Sequence, residues 1–265
     1  MKWRSLAGAA TALWLGSGAW AQTAAANDPH AGRPVGIVDD PCPPPPRPPR
    51  NGDEWGAQYL AALKRDFGQI CRYRDENRAL KQRPRVVFMG DSITEGWIKA
   101  DPDLFTNGLV DRGISGQTTP QMLVRFRQDV IALRPAAVHI MAGTNDIAGN
   151  TGAATMETVQ GHLTSMAELA RANGIKVIIA SIPPAGSFPW RPEVRPAPQI
   201  AAINAWARDY ARRNGFTYVD YHSAMAQPDG AMKPGLADDG VHPTPAGYAV
   251  MRPIALEAIR RTLGE

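Results

Sequence analysis

Between Arg85 and Val219 the chain alternates two kinds of stretch, and this alternation narrows its fold more than any single motif does. Short apolar runs, each closed by a small or polar residue, are separated by stretches with apolar residues at helical spacing. Val86-Val87-Phe88-Met89 leads into Gly90-Asp91-Ser92, Leu109-Val110 into Gly113, Ala137 to Met141 into Gly143, and Ile175 to Ala180 into Ser181-Ile182-Pro183-Pro184. A fifth run, Phe216 to Val219, ends at Asp220. Helices are expected at about 119–134, 155–173, 198–214 and 245–262. Strands without polar alternation are buried on both faces, so the pattern predicts an α/β fold with a parallel sheet covered by helices on either side. In such a sheet the loops that follow the strands line the ligand crevice.

The segments before Arg85 are different in kind. Lys2 and Arg4, an apolar run from Leu6 to Leu15, and Ala19-Trp20-Ala21 read as a signal peptide over residues 1–21, with a small-x-small cleavage site. Its removal takes two basic and no acidic residues, leaving 29 − 2 = 27 basic against 25 acidic. That near balance gives no reason to expect nucleic acid as a partner. No later stretch offers about eighteen uninterrupted apolar residues, so stable membrane insertion is not expected after cleavage, and the product is expected to be secreted or periplasmic. Residues 22–53 form a Pro-rich arm, culminating in Pro43-Pro44-Pro45-Pro46-Arg47-Pro48-Pro49. The remaining 54–265 are long enough for one α/β domain with a well-buried core. Apolar residues at helical spacing from Trp55 to Ile70 predict one long or broken helix up to Lys81. Cys42 and Cys71 both fall in the exported portion, where a disulfide between them is expected.

The polar motifs cluster just past predicted strand ends or before the last helix. Ser92 follows a strand and a Gly-Asp turn, which puts its hydroxyl at the sheet edge; serine is a weak nucleophile until a base takes its proton. Of the five histidines, His139 falls in a strand, His162 on a helix and His30 in the arm. His222 is a weak candidate, and His242 in Asp239-Gly240-Val241-His242-Pro243 is the strong one. A carboxylate three residues earlier can hold the second ring nitrogen. Asp239 has that spacing, with Asp238 its competitor. Donors for a developing oxyanion are the Asn145 amide, the Gly116 N–H and the Ser92 N–H. Asp91 and Asp146 are expected to brace loops.

Gly90-Asp91-Ser92-Ile93-Thr94, Gly116, Gly143-Thr144-Asn145-Asp146 and Asp239-Gly240-Val241-His242 together resemble the four blocks of the SGNH hydrolase (GDSL esterase/lipase) family, in order, from about Arg85 to the C-terminus. The resemblance implies a three-layer α/β/α, flavodoxin-like domain with a five-stranded parallel sheet and no required cofactor or metal. It implies Ser92, Asp239 and His242 as catalytic residues and Ser92, Gly116 and Asn145 as the oxyanion hole. Ile93-Thr94 replaces the Leu-Ser of the family motif, and Ala142 stands where many members have a second glycine. The implied substrate is a small-molecule, lipid or glycan ester. Short-acyl or acetylated-carbohydrate esters are favoured over a lysophospholipase or thioesterase activity, because the stretch after the fifth run is too short for a deep lid. Rival classes are a non-catalytic glycan- or lipid-binding module and a metal-dependent phosphodiesterase using Asp91, Asn145, Asp239 and His242. The loop from Ile182 to Pro198, with Trp190, Arg191 and Arg195, reads either as a pocket wall or as a rigid surface excursion.

Overall fold

A computed structural model describes residues 36–43 and 47–265. The expected signal peptide, His30, most of the Pro-rich arm's first half and Pro44-Pro45-Pro46 lie outside the described residues. Residues 36–43 carry no helix or strand, and a compact unit spans Pro45–Glu265. Cys42 and Cys71 are each disulfide-bonded. No helix among the described residues is long and apolar enough to cross a membrane.

Five strands form one all-parallel sheet: β1 (Val86–Gly90), β2 (Leu109–Gly113), β3 (Ala137–Met141), β4 (Lys176–Ala180) and β5 (Thr217–Val219), in the spatial order β2-β1-β3-β4-β5. Every residue of β1 and β3 is buried, as their predominantly apolar sequences require, and His139 is the one polar side chain among them. Successive side chains point to opposite faces, and each face has its own core. Val87, Met89, Val138, Ile140, Val177 and Ile179 pack under α4 (Thr119–Asp129), α6 (Met156–Ala172) and α7 (Pro196–Asn214), which contribute Phe126, Met166 and Ile203 among others. Val86, Phe88, Ala137 and Ile178 pack under α3 (Ser92–Ala100) and α9 (Pro245–Leu263). The predicted three-layer α/β/α arrangement with a five-stranded parallel sheet is therefore the observed one.

Two short helices follow strand ends, α5 (Thr144–Ile147) after β3 and α8 (Tyr221–Met225) after β5. Upstream of the sheet, the helical pattern from Trp55 to Lys81 is broken into α1 (Gly52–Arg65) and α2 (Arg74–Ala79). The break has a local cause. Asp66 turns its carboxylate onto the Cys71 N–H (3.1 Å), Gln69 takes a left-handed φ of 51°, and Gly68 lies so close to Val124 that a Cβ there would meet its Cγ1 at 2.6 Å. The same turn is tied to the start of α4, since Gln117 Nε2 donates to the Gly68 carbonyl (3.0 Å) and Gln121 Nε2 to that of Phe67 (2.9 Å). Trp97 is core: it is fully buried and stacks on Tyr248 at 5.5 Å.

Candidate active site

The chain order places β2 on one side of β1 and β3 on the other, so the loops leaving β1 and β3 diverge and open a crevice at the carboxyl edge of the sheet. Ser92 opens α3 directly after β1. Asp91 caps that helix, its Oδ1 accepting from the Ile93 N–H at 3.0 Å. This cap fixes the sharp strand-to-helix turn on which Ser92 stands. The turn Asp239-Gly240-Val241-His242 is equally determined. Gly240 takes φ +79°, a conformation open to glycine, and Asp239 Oδ1 accepts from the N–H groups of Val241 (2.9 Å) and His242 (2.8 Å).

Two distant segments then meet. Ser92 Oγ lies 2.9 Å from His242 Nε2, and His242 Nδ1 lies 2.6 Å from Asp239 Oδ2. With Nδ1–H donating to the carboxylate, Nε2 is left as the acceptor for the serine hydroxyl. Partial burial works against the charge of Asp239, but the hydrogen bond from the His242 ring and the two backbone donors outweigh it and hold the carboxyl below its usual range. The hydrogen-bond and ion-pair partner of Nδ1 is thus Asp239 and not Asp238, the competing carboxylate in sequence. His222 makes no hydrogen bond to Ser92; its backbone N–H donates to Ser181 Oγ (2.9 Å), and its Nε2 is buried without a partner among the described residues. His139 is buried in β3 against the Tyr221 hydroxyl (2.9 Å), and His162 Nδ1 meets Thr119 Oγ1 (2.9 Å).

The three expected oxyanion donors are not alike. The Ser92 and Gly116 N–H groups donate to no other group among the described residues. Gly116 has φ +79°, and its carbonyl accepts from Tyr59 Oη (3.1 Å) and Asn150 Nδ2 (3.1 Å). The Asn145 amide is already engaged, donating to the Gln117 carbonyl at 3.0 Å and to Asp91 Oδ2 at 3.3 Å while its own Oδ1 accepts from Asn150 Nδ2 at 2.8 Å. Sequence reading supplied Asn145 but not this occupancy. Asp91 and Asp146 brace the loops, as expected. Complete burial, opposed by the Ile93 N–H and the nearby His242 but reinforced by Asp146, pushes Asp91 up to about 6. Asp146 accepts from the Thr119 N–H (2.9 Å) and hydroxyl (2.5 Å), and its burial raises it too.

Sequence reasoning missed Arg125. Its guanidinium is fully buried, donating to the Gly90 carbonyl (3.0 Å), Gln117 Oε1 (2.6 Å) and Asp129 Oδ2 (2.9 Å). It thus joins the residue two before Ser92 to the residue after Gly116. An Arg–Asp pair four apart on a helix is the one signal sequence offered, and such pairs are normally solvated. Trp190 also belongs here: only 37% exposed, it stacks on Phe188 (5.2 Å) and leans over the His242 ring at 5.8 Å. Among the described residues no group of three or more His, Cys, Asp or Glu is placed to share a metal ion.

A carboxylate–imidazole–hydroxyl relay at the carboxyl edge of a parallel sheet is the architecture of a serine hydrolase. The chain belongs to the GDSL-like lipase/acylhydrolase family, whose model matches residues 88–250, and is thus an acylhydrolase of the carboxylic ester hydrolase class. A solved structure from Bacteroides fragilis described as an acylhydrolase is 49% identical, covering 75% of this chain and 99% of its own, with a TM-score of 0.72. A GDSL-like lipase structure from Bacteroides thetaiotaomicron is 50% identical over 74% of this chain and 99% of its own, also at 0.72. An acetylxylan esterase from Geobacillus stearothermophilus shares the fold at 20% identity, with 68% of this chain and 95% of its own covered and a TM-score of 0.52. No curated protein matches the chain significantly.

Proposed function

We propose that the chain is an exported serine esterase that cleaves short-acyl carboxylic esters, acetylated carbohydrates among them, through an acyl-enzyme. The observation that carries this reading is the continuous relay from Asp239 to His242 (2.6 Å) to Ser92 (2.9 Å). Ser92 Oγ attacks the ester carbonyl as its proton passes to His242 Nε2, and Asp239 stabilises the imidazolium. The Ser92 and Gly116 N–H groups receive the oxyanion; Asn145 joins them by exchanging its longer bond, the 3.3 Å contact to Asp91, for the new charge. His242 returns the proton to the departing alkoxide. Water, deprotonated by the same ring, then attacks the acyl-serine and frees the acid.

The leaving oxygen must lie near His242 Nε2, which puts the leaving group beside Trp190. An indole face suits the apolar face of a sugar ring. The short stretch between α8 and Asp239 leaves little chain from which to build a lid over a long acyl group. Export rests on the basic and apolar segment over residues 1–21, with 22–53 as an arm and 54–265 as the catalytic domain.

The test is a panel of 4-nitrophenyl esters from acetyl to palmitoyl, run beside acetylated xylan and a lysophospholipid, on wild type and Ser92→Ala. We expect kcat/KM to be highest from acetyl to butyryl and S92A to be inactive though folded. An optimum at octanoyl or beyond, or turnover of the lysophospholipid alone, would replace the carbohydrate reading with a lipid one. N-terminal sequencing of protein recovered outside the cytoplasm should begin after Ala21; an intact N-terminus would remove the export claim.

A further inference from the structure

We propose that helix α1, which lies outside the residues matched by the family model, is a working wall of the active site in which Trp55 limits the acyl group and Tyr59 positions the Gly116 donor. The proposal rests on the assignment of Ser92 and Gly116 made above.

Trp55 and Tyr59 stand four residues apart on one face of α1, with their rings stacked at 5.1 Å and 7°. That pair covers Gly116. A Cβ built there would meet Trp55 Cη2 and Tyr59 Cε2 at 3.1 Å and Trp55 Cζ2 at 3.2 Å. Below the rings, the Tyr59 hydroxyl donates to the Gly116 carbonyl at 3.1 Å and shares it with Asn150 Nδ2. These bonds hold the carbonyl side of the glycine, and with the rings packed over its Cα they restrict the rotation that would swing its N–H away. Burial, helped by the charge of Asp146, pushes the Tyr59 hydroxyl up to about 12, so it stays a donor across the working pH range.

Trp55 is placed differently from its partner. It keeps 41% of its surface exposed while its edge lies on the glycine whose N–H faces the substrate carbonyl oxygen. An oxyanion bonded to that N–H sits about 2.9 Å from the nitrogen. The indole edge, packed on the same residue, borders the space that the substituents of the carbonyl carbon must share. Of the two carbon substituents, the leaving oxygen is committed to His242 and the Trp190 side. The acyl chain is what remains for Trp55 to meet, and a rigid indole there leaves room for few methylenes.

The experiment measures kcat and KM for 4-nitrophenyl acetate through octanoate with wild type and the Trp55→Ala, Trp55→Phe, Tyr59→Phe and Ser92→Ala variants, with circular dichroism and melting curves beside them. In W55A the octanoate-to-acetate ratio of kcat/KM should rise at least tenfold, with W55F in between. In Y59F, kcat for acetate should fall about tenfold with KM and Tm little changed, since the hydroxyl acts on a transition-state donor and not on ester binding. An unchanged chain-length ratio in folded W55A, or in W55F where W55A does not fold, overturns the wall. An unaltered kcat in Y59F, or a fall in kcat that tracks a fall in Tm, overturns the positioning role. Activity in S92A would instead remove the catalytic assignment beneath both, which keeps the two failures apart.

Discussion

At His242 the imidazole is held from both ring nitrogens, and its tautomer is set by Asp239 rather than by the serine. Asp239→Asn tests this at the level of one atom. Asparagine can still accept from the Val241 and His242 N–H groups, so the turn should persist. Its amide, however, would face Nδ1 with a donor where the ring also donates, which favours the opposite tautomer and leaves Nε2 protonated against Ser92. We expect kcat for acetyl esters to fall by roughly a thousand- to ten-thousand-fold with Tm nearly unchanged; a loss under tenfold would mean that Asp239 does not set the tautomer. The sequence offered this partner through a three-residue spacing, because the contact is local. It offered Ser92 and His242 only as separate motifs, since nothing between positions 92 and 242 encodes their distance.

At the scale of elements, α4 does more than cover the sheet. Through Arg125 it holds the end of β1 at the Gly90 carbonyl and the loop after β2 at Gln117, whose carbonyl in turn accepts from Asn145. Arg125 and Asp129 are both fully buried, and Asp129 has a second donor in Asn77 Nδ2 (2.8 Å). Replacing the arginine would strand a buried carboxylate. Arg125→Met is therefore expected to cost about 3–5 kcal/mol, read from urea unfolding, and to lower kcat more than KM by loosening the loops that carry the donors. A cost under about 1 kcal/mol would show the pair to be dispensable. Helix α1 makes the complementary case. Its amphipathic pattern was readable, but which of its aromatic residues reaches the site depends on the turn at Asp66–Gln69.

At the scale of the molecule, the interior holds titratable groups with opposing effects on stability. Burial, only partly offset by the Gly113 N–H, pushes Asp111 up to about 7. The unfolded carboxyl ionises near its ordinary value, so the folded state loses stability as pH rises from about 4 to 7. Asp111→Asn should accordingly gain unfolding free energy relative to wild type across that interval, on the order of a few kcal/mol at its upper end, and its Tm should rise relative to wild type with it. Burial lowers His139 to about 3. Below about 6.5 the unfolded chain takes up a proton that the folded ring refuses, so wild type loses stability as pH falls from 6.5 toward 3. His139→Phe lacks this linkage, and the Tm gap between wild type and this variant should narrow as pH drops from 7 to 4. A gap independent of pH in either pair would show that the buried group titrates normally.

The fold class was determined by the sequence itself, because strands buried on both faces are built mainly from apolar residues, with few exceptions such as Asp111, Arg112 and His139, and because the runs that became β1 to β5 alternate with helical patterns. Ser92, Gly116, Asn145, Asp239 and His242 were legible as candidates, because their four short blocks occur in order along the chain. Only the tertiary structure decided that Trp97 is core while Trp190 leans over the imidazole, that Asn145 arrives with its amide already engaged, and that a buried arginine on α4 ties two site loops together. Each of these turns on which side chain meets which across the sheet or between helices. Such contacts are set by packing between segments far apart in the chain, and no local periodicity encodes them.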